Sequence, residues 1–189
     1  MNYFASIFLV AYVIERGLES FWNRQKIKGD TVAPYTLYVL VGSYTLVILI
    51  IFWELLRQGS QAVSGWMTLV GVILVLISLG GRNWAIRTLG PYHSIQIEIR
   101  PNHQLIQSGP YRFVRNPYYL SNIVKAIGLP LAANAEIASL LSLFVYVPLL
   151  VFRMILEERA LERRFQDSFA AYKNSVPRIL PRLFRGQTS

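Results

Sequence analysis

The strongest constraint on this sequence is the apolar run from Pro34 to about Leu56, which holds Glu54 as its only charged residue. Roughly 20 consecutive apolar residues in a helix cross the hydrocarbon of a bilayer. A helix also satisfies its own backbone hydrogen bonds where no water can. Trp53 near the end of the run has the position of an interfacial anchor. The chain is therefore expected to enter a membrane, and its other apolar runs are read in that light.

The run Tyr3 to Ile14 lacks both the basic start and the small-residue cleavage site of a secretory signal, so a retained first helix is expected there. Glu15 and Glu19 follow one helical turn apart, a spacing whose default meaning is interfacial solvation. After Pro34 to Leu56, a third span is expected over Val63 to Gly81. Its glycines at 65, 71, 80 and 81 permit close helix packing, and the Gly80-Gly81 pair also reads as a helix end. From Arg82 to Asn116 the chain is expected to leave the hydrocarbon. Within this segment Ser94 to Ile99 alternates with period two, which predicts a short extended piece. Shorter runs over Tyr118 to Ala133 and Ile137 to Phe152 predict a helical hairpin turning at Asn134. Pro130 and Pro148 in this hairpin each lack a donor and are expected to pack against protein. Arg153 to Tyr172 continues as a polar amphipathic helix, and Pro177 and Pro181 end the ordered part.

The fold expected is all-α, a polytopic integral membrane protein of about five transmembrane helices in a single domain. Three spans occupy residues 1–81, a catalytic half occupies 82–181, and 182–189 is a tail.

Composition agrees: 53% of the 189 residues are hydrophobic and only 15% charged, against about 25% in soluble domains. The net charge of +9 lies at the ends of apolar runs and not on a separate polar domain, which favours membrane lipids over nucleic acid as its partner. Arg24, Lys26 and Lys28, the arginine-rich central segment and the basic C-terminal region fall on one side of a five-span chain, with the Arg57 and Asn134 turns on the other. Basic loops stay cytosolic, so the amino terminus is expected outside and the polar segments inside. The absence of cysteine excludes disulfides, thiolate nucleophiles and zinc-thiolate sites, and His93 and His103 are too few for a metal centre. Dinucleotide, P-loop and nucleophile-elbow motifs are absent as well.

Chemistry-bearing residues gather in His103 to Ser121, HQLIQSGPYRFVRNPYYLS, and in Arg153 to Arg164. Taken singly each has an ordinary reading. His103 is a loop histidine, Ser108-Gly109-Pro110 and Asn116-Pro117 are turns, Tyr111, Tyr118 and Tyr119 form an aromatic belt, and Arg153 with Glu157 is a helix-stabilising pair. Most of the later run, Glu158 to Arg164, reads as a solvated face. Polar groups beside membrane-grade sequence are nevertheless costly, which makes the two stretches together a candidate site.

Their spacing is specific. His103-x-Leu-Ile-x-x-Gly109-x-Tyr111 and Arg115-x-Pro117-x-Tyr119 are followed by a hairpin, Arg153-x-x-x-Glu157-Glu158-x-x-Leu161, and then Phe165, Tyr172, Pro177 and Pro181. This pattern, from about Gln96 to Pro181, resembles the isoprenylcysteine carboxyl methyltransferase family. The resemblance implies an S-adenosylmethionine-dependent methyltransferase whose cofactor pocket is built from the loop before the fourth helix and from the C-terminal helix, on the cytosolic side. Cofactor contacts would fall on Gln96, on His103, Gln104, Leu105 and Ile106, on Tyr111, on Asn116, Pro117, Tyr118 and Tyr119, and on Glu157. Arg153 would orient the substrate, and Glu157 would take part in the catalytic site. A carboxylate suits the cofactor's ammonium, and an arginine can hold an anionic acceptor with paired donors.

The family's usual Arg-His-Pro is here Arg115-Asn116-Pro117, so no imidazole can titrate at that position. The acceptor implied is lipophilic, a small molecule or lipidated substrate entering from the bilayer. A carboxylate acceptor needs no base, whereas an amine or hydroxyl would look to Glu157, Glu158 or Tyr111. An NADPH-dependent sterol or isoprenoid reductase, which resembles the family in its C-terminal half, and a non-enzymatic membrane scaffold are the competing readings. Oligomeric state leaves no signal in the sequence.

Overall fold

The computed structural model describes residues 30–58, 64–90, 97–99 and 105–180. The expected first span at Tyr3 to Ile14, with Glu15 and Glu19, lies outside the described residues. A short strand β1 (Asp30–Val32) leads into helix α1 (Tyr35–Gln58), and α2 (Gly65–Leu89) returns beside it. After strand β2 (Ile97–Ile99) and a 3-10 turn at Gly109–Arg112 come α3 (Pro117–Ala132), α4 (Glu136–Leu141), a π turn at Ser142–Tyr146 and α5 (Val147–Ser175). Apart from the antiparallel pair β1 and β2, which aligns Asp30 with Ile99 and Val32 with Ile97, the described elements are helical. The period-two piece is thus present over 97–99.

Three stretches among the described residues are long and apolar enough to cross a membrane: Tyr35–Gln58, Gly65–Leu89 and Glu136–Ser175. The chain is an integral membrane protein. The expected start at Pro34 lies one residue from the observed helix, because a proline presets the entry to a first turn and cannot continue one behind it. By contrast, α3 has 16 residues and reaches only about 24 Å at the rise of an α-helix, short of the hydrocarbon thickness of about 30 Å.

Gly80-Gly81 does not end the third run. The helix continues to Leu89, so Arg82 and Arg87 lie inside α2, and the stop falls at Gly90 with φ +53. In lipid a helix that unwinds has no water for its freed carbonyls, so a glycine pair that would break a soluble helix is carried through. Two of the glycines do serve packing. A Cβ at Gly71 would lie 2.2 Å from the backbone nitrogen of Ala132, and one at Gly81 would lie 2.9 Å from Ser121 Oγ. Gly65 and Gly80 have nothing within 4 Å. On the facing helix, a Cβ at Gly128 would lie 2.7 Å from Leu74 Cβ. The contact of α2 with α3 is thereby the closest-set in the bundle, and the Ser78 hydroxyl donates across it to the Ser121 carbonyl at 2.8 Å.

The core lies between α1, α3 and the long helix: Leu40, Val47, Ile51 and Leu55 form one stripe of α1 against Tyr119, Ala126, Leu129, Ala138, Tyr146, Leu150 and Met154. The outer faces carry Val41, Leu49, Phe52, Leu143, Phe144 and Phe152, all exposed, as lipid contact requires. At one end the Gln58 amide donates to the Asn134 carbonyl at 2.7 Å, while Asn134 Nδ2 donates to Thr68 Oγ1 at 2.6 Å. The turns after α1 and after α3 therefore share one end, as the charge pattern predicts. Nearby, buried Glu54 accepts the free N–H groups of Ile137 and Ala138 at 3.0 and 2.9 Å and caps α4 from another helix.

The two prolines of the hairpin part company. Pro130 is buried inside α3, as expected, but Pro148 is exposed. A proline ring crowds the carbonyl four residues before it, here that of Phe144. The wider π turn at Ser142–Tyr146 accommodates that crowding without protein packed around Pro148.

Nor does the polar helix run straight to Tyr172. It breaks at Gln166, whose φ of 44 and ψ of −116 lie far from helical values. Beyond the break residues 167–175 fold back, so that Lys173 Nζ reaches Glu162 Oε1 at 3.0 Å across 11 residues. In a straight helix that spacing spans about 16 Å. The returning turn buries Phe169, Tyr172 and Val176 against Leu105, Leu161 and Phe165.

Candidate active site

Glu157 and Tyr119 form the centre of the site. The Tyr119 hydroxyl donates to Glu157 Oε2 at 2.7 Å, and Glu157 Oε1 has no partner among the described residues. Pro117 opens α3 in the position where its missing N–H costs nothing, which sets Tyr119 on the first turn facing α5. One turn before Glu157, the buried Arg153 donates to Thr36 Oγ1 at the start of α1. Arg153 and Glu157 thus share a helix face, as their spacing predicts, and that face meets α1 and α3 together. Residues 36, 119, 153 and 157 meet at the end of the bundle opposite the Gln58 and Asn134 turns. Strand β2 lies against α5 and brings the backbone of the extended segment to the same end.

The three tyrosines do not form an aromatic belt. Tyr111 is 8% and Tyr119 6% exposed, both part of the interior, and Tyr118 lies half-buried with the Arg82 guanidinium 5.7 Å from its ring centre. Burial pushes the Tyr111 phenol well above its ordinary range, with the Glu157 charge acting in the same direction. That phenol stays protonated, which removes Tyr111 as a base. Its backbone is held from above, since the Tyr172 hydroxyl donates to the Tyr111 carbonyl. The turn before it is fixed by Gly109, whose φ is +58 and where a Cβ would meet Thr88 Oγ1 at 2.7 Å. Both features require glycine.

Glu158 is what the reading of a solvated face missed. It is 5% exposed. Oε1 accepts Arg115 Nε at 3.1 Å and Asn116 Nδ2 at 2.7 Å, and Oε2 accepts Arg178 Nε at 2.8 Å. Its neighbours in the run behave as expected: Arg159, Arg163 and Arg164 are exposed. Of the remaining candidate residues, Leu105 packs under the folded-back turn, Ile106 is half-buried, and Pro117 accepts the Ser121 hydroxyl at its carbonyl at 2.9 Å. Gln96, His103 and Gln104 lie outside the described residues, as does His93. No group of three or more metal-ligating side chains occurs among the described residues.

Residues 69–163 match the model of the isoprenylcysteine carboxyl methyltransferase family, half of the chain. The chain belongs to this family. Among its relatives, a probable protein-S-isoprenylcysteine O-methyltransferase of Oryza sativa subsp. japonica is 26% identical over 94% of this chain and 95% of its own. A cobalt-zinc-cadmium resistance protein, CzcN, of Cupriavidus metallidurans is 25% identical over 93% of this chain and 74% of its own. The solved structure of the eukaryotic intramembrane Ras methyltransferase ICMT shares the fold, with a TM-score of 0.55 at 20% identity. That match covers 80% of this chain and 54% of the other. The matched residues of the family model include the whole of α3 and the Arg153 to Glu158 turns of α5, so the family resemblance and the site geometry fall on the same part of the molecule.

Proposed function

We propose that this protein is an S-adenosylmethionine-dependent methyltransferase acting on a lipophilic acceptor at the cytosolic face of its membrane. The observation that carries the proposal is the Tyr119 to Glu157 bond at 2.7 Å, which holds a partly buried carboxylate with its second oxygen unpartnered among the described residues. Such a donor set fits the cofactor, because a fixed carboxylate in a water-poor site suits an ammonium or sulfonium cation. When bound, the cofactor supplies an electrophilic methyl group. Glu157 holds the cationic end, Tyr119 fixes the rotamer of Glu157, and the loop through Leu105, Ile106, Tyr111 and Asn116 to Tyr118 walls the remainder. Gln96, His103 and Gln104 belong to the same proposed contact set.

Arg153, anchored on Thr36, orients an anionic head group by its charge. The exposed apolar faces of α1 and α5 allow a lipophilic tail to reach it sideways from the bilayer. Alignment and exclusion of water supply the rate, effects worth up to roughly 7 to 11 kcal/mol in favourable cases. Glu158 is engaged at both oxygens and Tyr111 stays protonated, so of the three candidate bases only Glu157 remains, already assigned to the cofactor. A carboxylate acceptor, which needs no base, is therefore favoured over an amine or a hydroxyl. The basic side chains Arg87, Arg112, Arg159, Arg163, Arg164 and Lys173 crowd the site end, which supports a cytosolic address for it. Family membership does not favour the reductase or scaffold readings.

Incubating the purified protein and a membrane lipid extract with methyl-labelled cofactor tests the proposal. Label in a lipid-soluble product that is released by mild base, as a methyl ester is, supports it. Absence of any labelled product, with saturable NADPH binding, would overturn it.

A further inference from the structure

Two carboxylates stand side by side on α5, and only one faces the site. The other, Glu158, is joined to two distant parts of the chain. Arg115 and Asn116 lie just before α3, and Arg178 lies beyond the fold-back at Gln166. The two parts also bond to each other through backbone. The N–H of Arg115 donates to the Pro177 carbonyl at 2.9 Å and that of Asn116 to the Arg178 carbonyl at 3.1 Å. Arg115 Nη1 adds bonds to the carbonyls of Lys173 at 2.9 Å and Val176 at 2.6 Å. Residues 176–178 therefore form a strap across the entry to α3, and Glu158 is the post to which both are tied.

We infer that Glu158, with Arg115, Asn116 and Arg178, is a positioning device that clamps the C-terminal strap onto the start of α3 and so sets Tyr119 against Glu157. The inference rests on the reading of Glu157 as the cofactor's carboxylate. Its basis is geometric. Asn116 precedes Tyr119 by three residues and Glu158 follows Glu157 by one, so the bonds Asn116 to Glu158 and Tyr119 to Glu157 pin the same two helices one turn apart. If the first bond slackens, α3 can rotate or slide, and the second bond is the first to feel it. The clamp is largely shielded from water: Arg115 and Glu158 side chains are 7% and 6% exposed, whereas Arg178 reaches in from the surface at 43%.

The clamp also gives a role to the asparagine at position 116, which an imidazole would fill less well. Asn116 Nδ2 donates to Glu158 Oε1 at 2.7 Å and to the Arg178 carbonyl at 3.2 Å, one nitrogen serving the post and the strap together. An imidazole nitrogen carries a single hydrogen and could serve only one of the two. Position 116 in this chain thus acts through the strap.

Arg178 is the member to change, because Arg115 and Asn116 still hold Glu158 Oε1 when it is gone. The experiment compares the full-length protein with Arg178→Ala, Arg178→Lys and Glu157→Ala in detergent. It measures S-adenosylmethionine affinity by titration, methyl transfer at saturating cofactor, and hydrogen exchange at the amides of Arg115 and Asn116. Arg178→Ala should weaken cofactor affinity about tenfold, as expected for one charge-assisted bond. It should also speed exchange at both amides and leave transfer at saturating cofactor within about twofold, a split that mere loss of folded protein would not give. Arg178→Lys, which keeps the charge, should recover most of the affinity. Unchanged affinity in Arg178→Ala, or unchanged exchange at 115 and 116, would overturn the inference while the cofactor reading stands. Failure of the unaltered protein to bind the cofactor, matching Glu157→Ala, would overturn that reading and the inference with it.

Discussion

Glu157 and Glu158 are consecutive on α5 but hold different partners: Glu157 takes the Tyr119 hydroxyl at 2.7 Å, and Glu158 takes Arg115, Asn116 and Arg178. Successive helical positions are about 100° apart, so one carboxylate can line a site while the next fastens the wall behind it. On the proposed function, the pair divides binding from support.

Tyr119→Phe tests the first half of that division. Losing one bond to a charged group costs roughly 1.5 to 3 kcal/mol, so cofactor affinity should fall by about 10- to 100-fold while the protein keeps its melting temperature within a few degrees. Calorimetric titration beside a thermal melt in detergent checks both.

The close approach of α2 to α3 predicts a contrast between two glycines of one helix. Gly71→Ala would drive a methyl to within 2.2 Å of the Ala132 backbone, whereas Gly80→Ala meets nothing within 4 Å. The first should destabilise by about 1 to 3 kcal/mol and the second by less than about 0.5 kcal/mol. Melting of the two variants in the same detergent reads the difference.

At the far end of the bundle, Glu54→Ala would leave the N–H groups of Ile137 and Ala138 without their cap. A loss of about 1 to 2 kcal/mol of stability is expected, with cofactor affinity unchanged because the site lies at the other end of α1. Thermal melting and titration of the same preparation separate the two quantities.

The raised Tyr111 phenol gives a pH prediction. A group whose value is raised stays protonated as pH climbs through its ordinary value of about 10, so Tyr111 carries no charge change across the working range. Tyr111→Phe should therefore leave the shape of the pH profile for methyl transfer unaltered. A limb of that profile lost with the hydroxyl would show that the phenol does titrate.

Much of the frame was legible because the membrane makes the code simple. Pro34 and Pro117 mark the starts of α1 and α3 by removing a donor that a first turn does not need, and Gly109 marks a turn that only glycine can make. The misreadings have physical reasons too. Gly80-Gly81 stops a helix in water but not in lipid, and Pro148 is carried by a π turn that leaves no mark in the residue pattern. The break at Gln166 has neither glycine nor proline to announce it. Glu158 looked solvated because charged residues surround it along the chain, and two of its partners, Arg115 and Arg178, lie 43 and 20 residues away. The signal that could have found it is a count of arginines on both flanks of the hairpin, too many for one glutamate to answer.

The most direct test of the central claim is a titration of the purified protein with S-adenosylmethionine, run beside NADPH and beside the Glu157→Ala variant. Saturable binding of S-adenosylmethionine alone, abolished in the folded variant, is the result predicted. Binding of NADPH alone, or S-adenosylmethionine affinity unchanged by Glu157→Ala, would contradict the account.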